Sequence, residues 1–191
     1  MTFFPIRHKP EFDFSMHNMA AVYPNAITKE MAEDIIKFAT TSDGWHRRGS
    51  KTAKFVEASF TTCLLHDLTH PAYEHLDKLW QRFTTEHQYK IDFIEYYEIK
   101  EYKEGDGFGI HRDNHGRIEA EIDRKFNLII QLSEPTDYEG GVLHIGKNYT
   151  APKDFGTAIF FPASYLHMVS KITSGTRYIL IGHAWGPNRL A

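Results

Sequence analysis

The second half of this chain is cut into short runs rich in β-branched and aromatic residues. They read IDFIEYYEIKEY (91–102), FNLIIQLS (126–133), GVLHIG (141–146), TAIFF (157–161), LHMVSKI (166–172) and RYILIGHAW (177–185). These runs are short and β-rich, and Gly, Pro, Asn or Asp separates each from the next. That spacing restricts the region to an antiparallel sandwich or barrel, and a jelly roll is the expected form. Within FNLIIQLS, alternation puts Phe126, Leu128, Ile130 and Leu132 on one face and Asn127, Ile129, Gln131 and Ser133 on the other.

The first half has a different texture. Ile27, Met31, Ile35 and Phe38 recur at helical spacing, with Thr28 placed to cap and Glu30 in the first turn. A second helix is expected after Pro71, burying Ala72, Leu76, Leu79, Trp80 and Phe83. Residues 1–26 read as irregular or edge-like. TSDGWHRRGSKT (41–52) reads as a surface loop, with a lid near a site as the alternative, and FVEASFTT (55–62) as a strand. The expected layout is mostly β with N-terminal helices. Residues 1–90 form a helical and strand support region for a double-stranded β-helix core at 91–191, together one structural unit.

With 41% hydrophobic residues over 191, the chain has material for a packed core. Its formal charge of −3 gives no bulk reason to bind nucleic acid, although Trp45-His46-Arg47-Arg48 could make a local basic face. The single cysteine, Cys63, fits a reducing compartment. The N-terminus lacks the apolar run of a signal peptide, and no stretch is long and apolar enough to span a membrane. A cytoplasmic protein with no membrane partner is the expectation.

Among twelve histidines, two His-x-Asp pairs stand out. His75 and Asp77 lie on the second expected helix, where residues two apart do not face each other. His111 and Asp113, in GFGIHRDNHG, follow the Gly107–Gly109 turn on extended chain, where such residues share a face. Two imidazoles and one carboxylate on one side of an octahedral iron leave three positions open, which suits Fe(II) oxygen chemistry. His167, opening a strand after Pro162-Ala163-Ser164, is the candidate second histidine; a core or surface histidine is the plainer reading. Arg177 lies ten residues on, across the Ser174–Gly175 turn, in a row with Ile179, Ile181, His183 and Trp185. An arginine in an apolar inward row needs an anion, either a bound carboxylate or a structural acid. The amides of Asn127 and Gln131 could hydrogen-bond a polar ligand inside the barrel. His115 and His144 are left out of the metal set, because a fourth protein ligand would crowd out the ligands that must bind.

Residues 97–187 resemble the catalytic core of the Fe(II)/2-oxoglutarate dioxygenases, most closely the prolyl-hydroxylase-like branch. The stretches carrying this resemblance are YKEGDGFGIHRD (102–113), DRKFNLIIQLS (123–133), EGGVLHI (139–145) and LHMVSKITSGTRYILIGHAW (166–185), about half of the chain. The resemblance implies that His111, Asp113 and His167 bind Fe(II) and that Arg177 holds the distal carboxylate of the cosubstrate 2-oxoglutarate. It makes Tyr102 a second contact to that carboxylate and gives Gln131 a cosubstrate-side place; Asn127, on the same face of its strand by alternation, is read as cofactor-binding with it. Arg124 matches an arginine that meets substrate in some relatives, a plain salt bridge being the alternative. His183 stands where relatives commonly carry a tryptophan, which alters the polarity of a substrate wall. The implied reaction hydroxylates a protein, peptide or amino-acid substrate, with proline favoured, while 2-oxoglutarate becomes succinate and CO2. Ascorbate is an accessory reductant by the same resemblance. Asp113 favours hydroxylation over halogenation, since halogenating relatives carry a small residue there. Oxidative demethylation of nucleic acid and a non-catalytic jelly-roll binding module are the competing readings.

Overall fold

The computed structural model describes residues 20–53, 56–115 and 121–187. The irregular stretch expected over residues 1–19 and the centre of the polar segment 114–124 lie outside these residues. Among the described residues the chain runs through β1 (Ala21–Tyr23), α1 (Lys29–Thr41), β2 (His46–Ala53), β3 (Val56–Leu64) and α2 (Ala72–Glu86). It continues through β4 (Phe93–Ile94), β5 (Glu98–Lys103), β6 (Gly107–His111), β7 (Ile122–Gln131), β8 (Tyr138–Gly140) and β9 (Leu143–Ile145). The last elements are β10 (Tyr149–Thr150), β11 (Ala158–Pro162), β12 (His167–Val169) and β13 (Ile172–Pro187). No helix among the described residues is long and apolar enough to cross a membrane.

The strands make one antiparallel sheet in the order β1-β11-β7-β13-β5-β3-β6-β12-β9-β10, with β2 added on β3 and β4 and β8 on β13. The sheet curls into a jelly roll, so it has an inner and an outer face. Alternation along β7 decides which residues go where. Phe126, Leu128, Ile130 and Leu132 join the outer core with Leu76, Trp80 and Phe83 of α2. Ile129 joins an inner core with Tyr102, Ile145, Phe161, Ile179 and Ile181.

Both helices form where their patterns place them. Thr28 caps α1 by accepting from Met31 N at 3.3 Å, and α2 buries Ala72, Leu76, Leu79, Trp80 and Phe83. Phe83 stacks flat on Phe160 of β11 with centroids 4.2 Å apart, and Trp80 meets the same ring edge-on at 4.8 Å. This aromatic joint fastens α2 to the outer face of the sheet.

Four local expectations are corrected. Residues 46–52 of the expected loop lie in β2, paired antiparallel with β3 from His46↔Thr62 to Ala53↔Val56. Exposed His46, Arg47 and Arg48 give this edge strand no apolar alternation; its backbone bonds to β3 hold it. Gly107–Gly109 is strand, and the turn before it lies at Glu104–Gly105, where Gly105 has φ +85°. The chain does not reverse at Ser174–Gly175. β13 runs through, and Gly175 at φ +78° brings the backbone against Asp137 O, where a Cβ would not fit. A bulge between Ala184 and Trp185 also ends the expected inward row at His183.

One buried carboxylate ties these pieces together at the start of β6. Asp106 accepts from Lys103 N at 2.9 Å, Ser59 Oγ at 2.6 Å and Arg47 Nη1 at 2.6 Å. Burial alone would raise its pKa, but the bonds from Arg47, Ser59 and Lys103 N outweigh it and hold the carboxyl at about 2. A folded pKa below the unfolded value stabilises the fold above pH ~4, and that stability is lost as pH falls through about 2. Asp106→Asn should therefore cost about 1–2 kcal/mol at pH 7, discounted for the exposed Arg47 partner, with the gap to wild type closing towards pH ~2 in urea titrations. Phe83→Ala should cost about 3–5 kcal/mol at any of these pH values.

Candidate active site

β6 and β12 pair antiparallel with His111 directly opposite His167. Each imidazole uses Nδ1 on a carbonyl two residues back: His111 on Gly109 O at 2.7 Å and His167 on Tyr165 O at 3.0 Å. A carbonyl can only accept, so Nδ1 carries the proton and Nε2 keeps its lone pair. The third group arrives just beyond β6, where Asp113 N donates to Ala163 O at 3.0 Å. That bond fixes the strand exit and turns the carboxylate back. Asp113 Oδ1 lies 3.5 Å from His111 Nε2, and Oδ2 lies 3.1 Å from His167 Nε2. One donor atom from each residue falls within 4.8 Å of the others.

The rings are held as well as aimed. Phe108 stacks on His111 with centroids 3.7 Å apart, and Phe161 meets His167 edge-on at 4.9 Å. Burial would raise the Asp113 carboxyl, but the His111 and His167 imidazoles set against it hold it far below the usual carboxylate range. The result is an ionised carboxylate between two imidazole nitrogens, a donor set suited to a divalent first-row metal with open coordination positions.

Asn127 supports that carboxylate from β7, donating from Nδ2 to Asp113 Oδ2 at 2.7 Å. Its Oδ1 in turn accepts from His183 Nδ1 at 2.8 Å. Both residues are buried, and burial pushes the His183 imidazole down to about 4.

Arg177 sits on the inner face of β13 with no exposed surface. Its Nε and Nη2 donate to Gln131 Oε1 at 3.3 and 3.0 Å, and Gln131 Nε2 donates to Pro152 O at 2.9 Å. Among the described residues, Nη1 of Arg177 has no hydrogen-bond partner, and neither has the buried hydroxyl of Tyr138. The rings of Tyr102 and Tyr138 lie 5.8 and 5.9 Å from the guanidinium carbon. A Cβ on Gly141 would come within 3.2 Å of both Arg177 Cδ and Tyr138 Cε2, so glycine keeps the space beside them. A buried guanidinium whose partner is a neutral amide is an incomplete ion pair. A carboxylate placed between Nη1 and the two tyrosines would complete it.

The structure thus brings His111, Asp113 and His167 together and puts Tyr102 against Arg177. Both ends of the Gln131 amide are engaged by protein, so it anchors Arg177. The Asn127 amide reaches Asp113, on the metal side. Arg124 makes a two-point pair with Glu95, Nε to Oε2 at 2.8 Å and Nη2 to Oε1 at 3.0 Å, and Trp185 Nε1 shares that carboxylate at 2.9 Å. His75 is not a free surface residue, because its Nε2 meets Ala26 O, whereas Asp77 is exposed. His115 and His144 bond Asp123 and Thr150. Tyr138 went unread in the sequence; its signal was a lone aromatic in the polar stretch TDYEGG, two residues before Gly140.

Residues 97–185 match the family model described as the 2OG-Fe(II) oxygenase superfamily. A PKHD-type hydroxylase of Hyphomonas neptunium is 33% identical over 84 residues, covering 41% of this chain and 38% of the relative. The chain therefore spans well under half the length of such curated relatives. The viral collagen prolyl hydroxylase of Paramecium Bursaria Chlorella virus-1, solved with 2OG, superimposes with a TM-score of 0.71 at 15% identity, over 88% of this chain and 96% of that one. A prolyl hydroxylase of Trichoplax adhaerens, in complex with a hypoxia inducible factor oxygen degradation domain peptide fragment, gives 0.67 at 14%, over 87% and 83%. The solved structures share the jelly-roll fold. Residues 97–185 are thus similar to the 2OG-Fe(II) oxygenase superfamily, and the relatives that share this stretch are hydroxylases by name.

The Gln131–Arg177 contact has a measurable weight. Gln131→Leu removes the acceptor of a buried cation and should destabilise the fold by about 1–3 kcal/mol in urea titrations. Gln131→Glu returns a partner and should recover that loss.

Proposed function

We propose, from the match of residues 97–185 to the 2OG-Fe(II) oxygenase superfamily model and from the geometry of the site, that this protein is an Fe(II)- and 2-oxoglutarate-dependent hydroxylase. In this reading His111, Asp113 and His167 hold the iron. Arg177, with Tyr102 and Tyr138, receives the distal carboxylate of 2-oxoglutarate. The observation that carries the reading is that, among the described residues, Nη1 of the fully buried Arg177 and the nearby Tyr138 hydroxyl have no hydrogen-bond partner, on the inner face that also bears the triad.

The bound iron and cosubstrate supply oxidative decarboxylation of 2-oxoglutarate to succinate and CO2, coupled to hydroxylation of a substrate C–H bond by O2. The chain's own part is positional. His111 and His167 present neutral Nε2 lone pairs because their Nδ1 protons are engaged. Asp113 offers one negative charge, which leaves a divalent ion a net positive charge to attract an anionic cosubstrate. Arg177, held by Gln131, fixes the far end of a dicarboxylate and so its direction towards the triad. Phe161, Ile129 and Ile181 keep the inner face apolar, which strengthens each of these charge interactions.

The substrate we propose is a protein, peptide or amino acid, with proline favoured, supported by the hydroxylase names of the relatives and the peptide bound to a structural neighbour. The slightly acidic composition supports that class over nucleic acid. A reducing, cytoplasmic setting fits the single buried thiol of Cys63, and ascorbate would serve as accessory reductant.

Adding 2-oxoglutarate to the anaerobic Fe(II) protein should produce the visible charge-transfer band of a chelated 2-oxo acid. Asp113→Ala should abolish the band. Arg177→Ala should raise the half-saturating 2-oxoglutarate roughly 30- to 150-fold, as expected for losing about 2–3 kcal/mol of charge-assisted hydrogen bonding. No band in folded, iron-loaded protein would end the oxygenase reading and leave a jelly-roll binding module in its place.

A further inference from the structure

The relay behind Asp113 contains more information than its distances. A carboxylate that ligates a metal can only accept, so Asn127 must turn its amide NH2 towards Oδ2, the 2.7 Å contact. The other end of that amide is then an oxygen, and it too can only accept. His183 Nδ1, 2.8 Å away, must therefore carry a proton. This assignment follows from the chemistry of the first group in the chain. A neutral imidazole with a proton on Nδ1 has a lone pair on Nε2. That nitrogen has no protein partner among the described residues, although His183 is only 6% exposed. It stands on the inner face of β13, in the row of Arg177, Ile179 and Ile181, opposite Asn127 in register. Charges of both signs surround it: Asp113 and Glu95 against Arg124 and Lys100.

We propose that Asn127 and His183 are positioning residues of the metal centre. They dedicate one oxygen of Asp113 to the protein and fix His183 as an Nδ1–H tautomer whose Nε2 accepts a hydrogen bond from an N–H or O–H of the substrate. The proposal rests on the iron-site reading above and deepens it by naming substrate chemistry. A ligand group seated against Nε2 must be a donor, such as an ammonium, a secondary amide or a hydroxyl. The tertiary amide nitrogen of a peptidyl proline has no proton to give there, whereas a free amino acid or the next peptide N–H does.

Two measurements decide this. In 15N-histidine-labelled protein loaded with Zn(II) and 2-oxoglutarate at pH 7.5, the His183 signals are those missing from His183→Gln. Nδ1 should show a pyrrole-type shift and Nε2 a pyridine-type shift; a protonated Nε2 overturns the acceptor assignment. Co(II) binding, followed by its visible spectrum, reads the positioning role. His183→Leu should weaken Co(II) binding roughly 10- to 100-fold and alter the spectrum, the usual cost of losing a partner behind a metal ligand. His183→Gln, whose amide can still donate to Asn127, should stay within about threefold of wild type. Folded His183→Leu protein with wild-type affinity and spectrum would overturn the positioning role. Wild-type protein that binds no Co(II), or binds it equally well as Asp113→Ala, would instead bring down the iron-site reading and this proposal with it.

Discussion

A guanidinium with no exposed surface, anchored by one neutral amide, sets the terms for the inner face of this jelly roll. Burying a cation in an apolar row costs several kcal/mol unless charge and hydrogen bonds are both met. Gln131 meets some of the hydrogen bonding of Arg177 and none of the charge. The surrounding structure is consistent with that deficit. Tyr102 and Tyr138 turn ring faces and a hydroxyl towards the cation, and Gly141 withholds a side chain that would close the space. The long β13 then extends the same row to His183, beside the carboxylate of the triad. A cation at one end of the row and a metal-ligand set near the other are what a small dicarboxylate needs to lie in one direction.

The two faces of the sheet divide the labour. The outer face carries the apolar contacts with α2, where Phe83 and Trp80 close on Phe160. The inner face gives up part of its hydrophobic area to Asn127, Gln131, Arg177 and His183. A roll with such an interior depends on the outer core for stability and on pinned loops for precision. Asp106 does the pinning: it gathers β2, β3 and the turn before β6, so that His111 leaves that turn in one orientation.

Features governed by neighbours in sequence were legible in the chain. The capped α1, the buried stripe of α2 and the two faces of β7 follow from periods of 3.6 and 2 that survive in any tertiary setting. His111 and Asp113 share a side for the same reason. Features governed by distant partners were not. β2 has no alternation to see, because β3 rather than a core holds it. Gly107–Gly109 resembled a turn, yet it is strand because β3 and β12 pair with it, and at Gly107 a Cβ would crowd the backbone of Val169 and Lys171. Gln131 looked like a ligand contact until Pro152 and Arg177 took both ends of its amide. Tyr138 belongs to the site only through β13, which no local pattern announces.

The polarity of His183 follows from the same logic. A tryptophan at this point has one fixed N–H donor and nothing else. A histidine can be donor or acceptor at either nitrogen, so its role depends on what it touches. Here the negative charge of Asp113 orients Asn127, Asn127 orients His183, and a donor-or-acceptor ambiguity is resolved two hydrogen bonds from its source. The charge that would hold the metal thus also sets which kind of group the substrate wall can accept. Specificity against a substrate lacking that donor would come from leaving the Nε2 lone pair buried and unpaired, a penalty that discriminates more sharply than any loss of apolar contact.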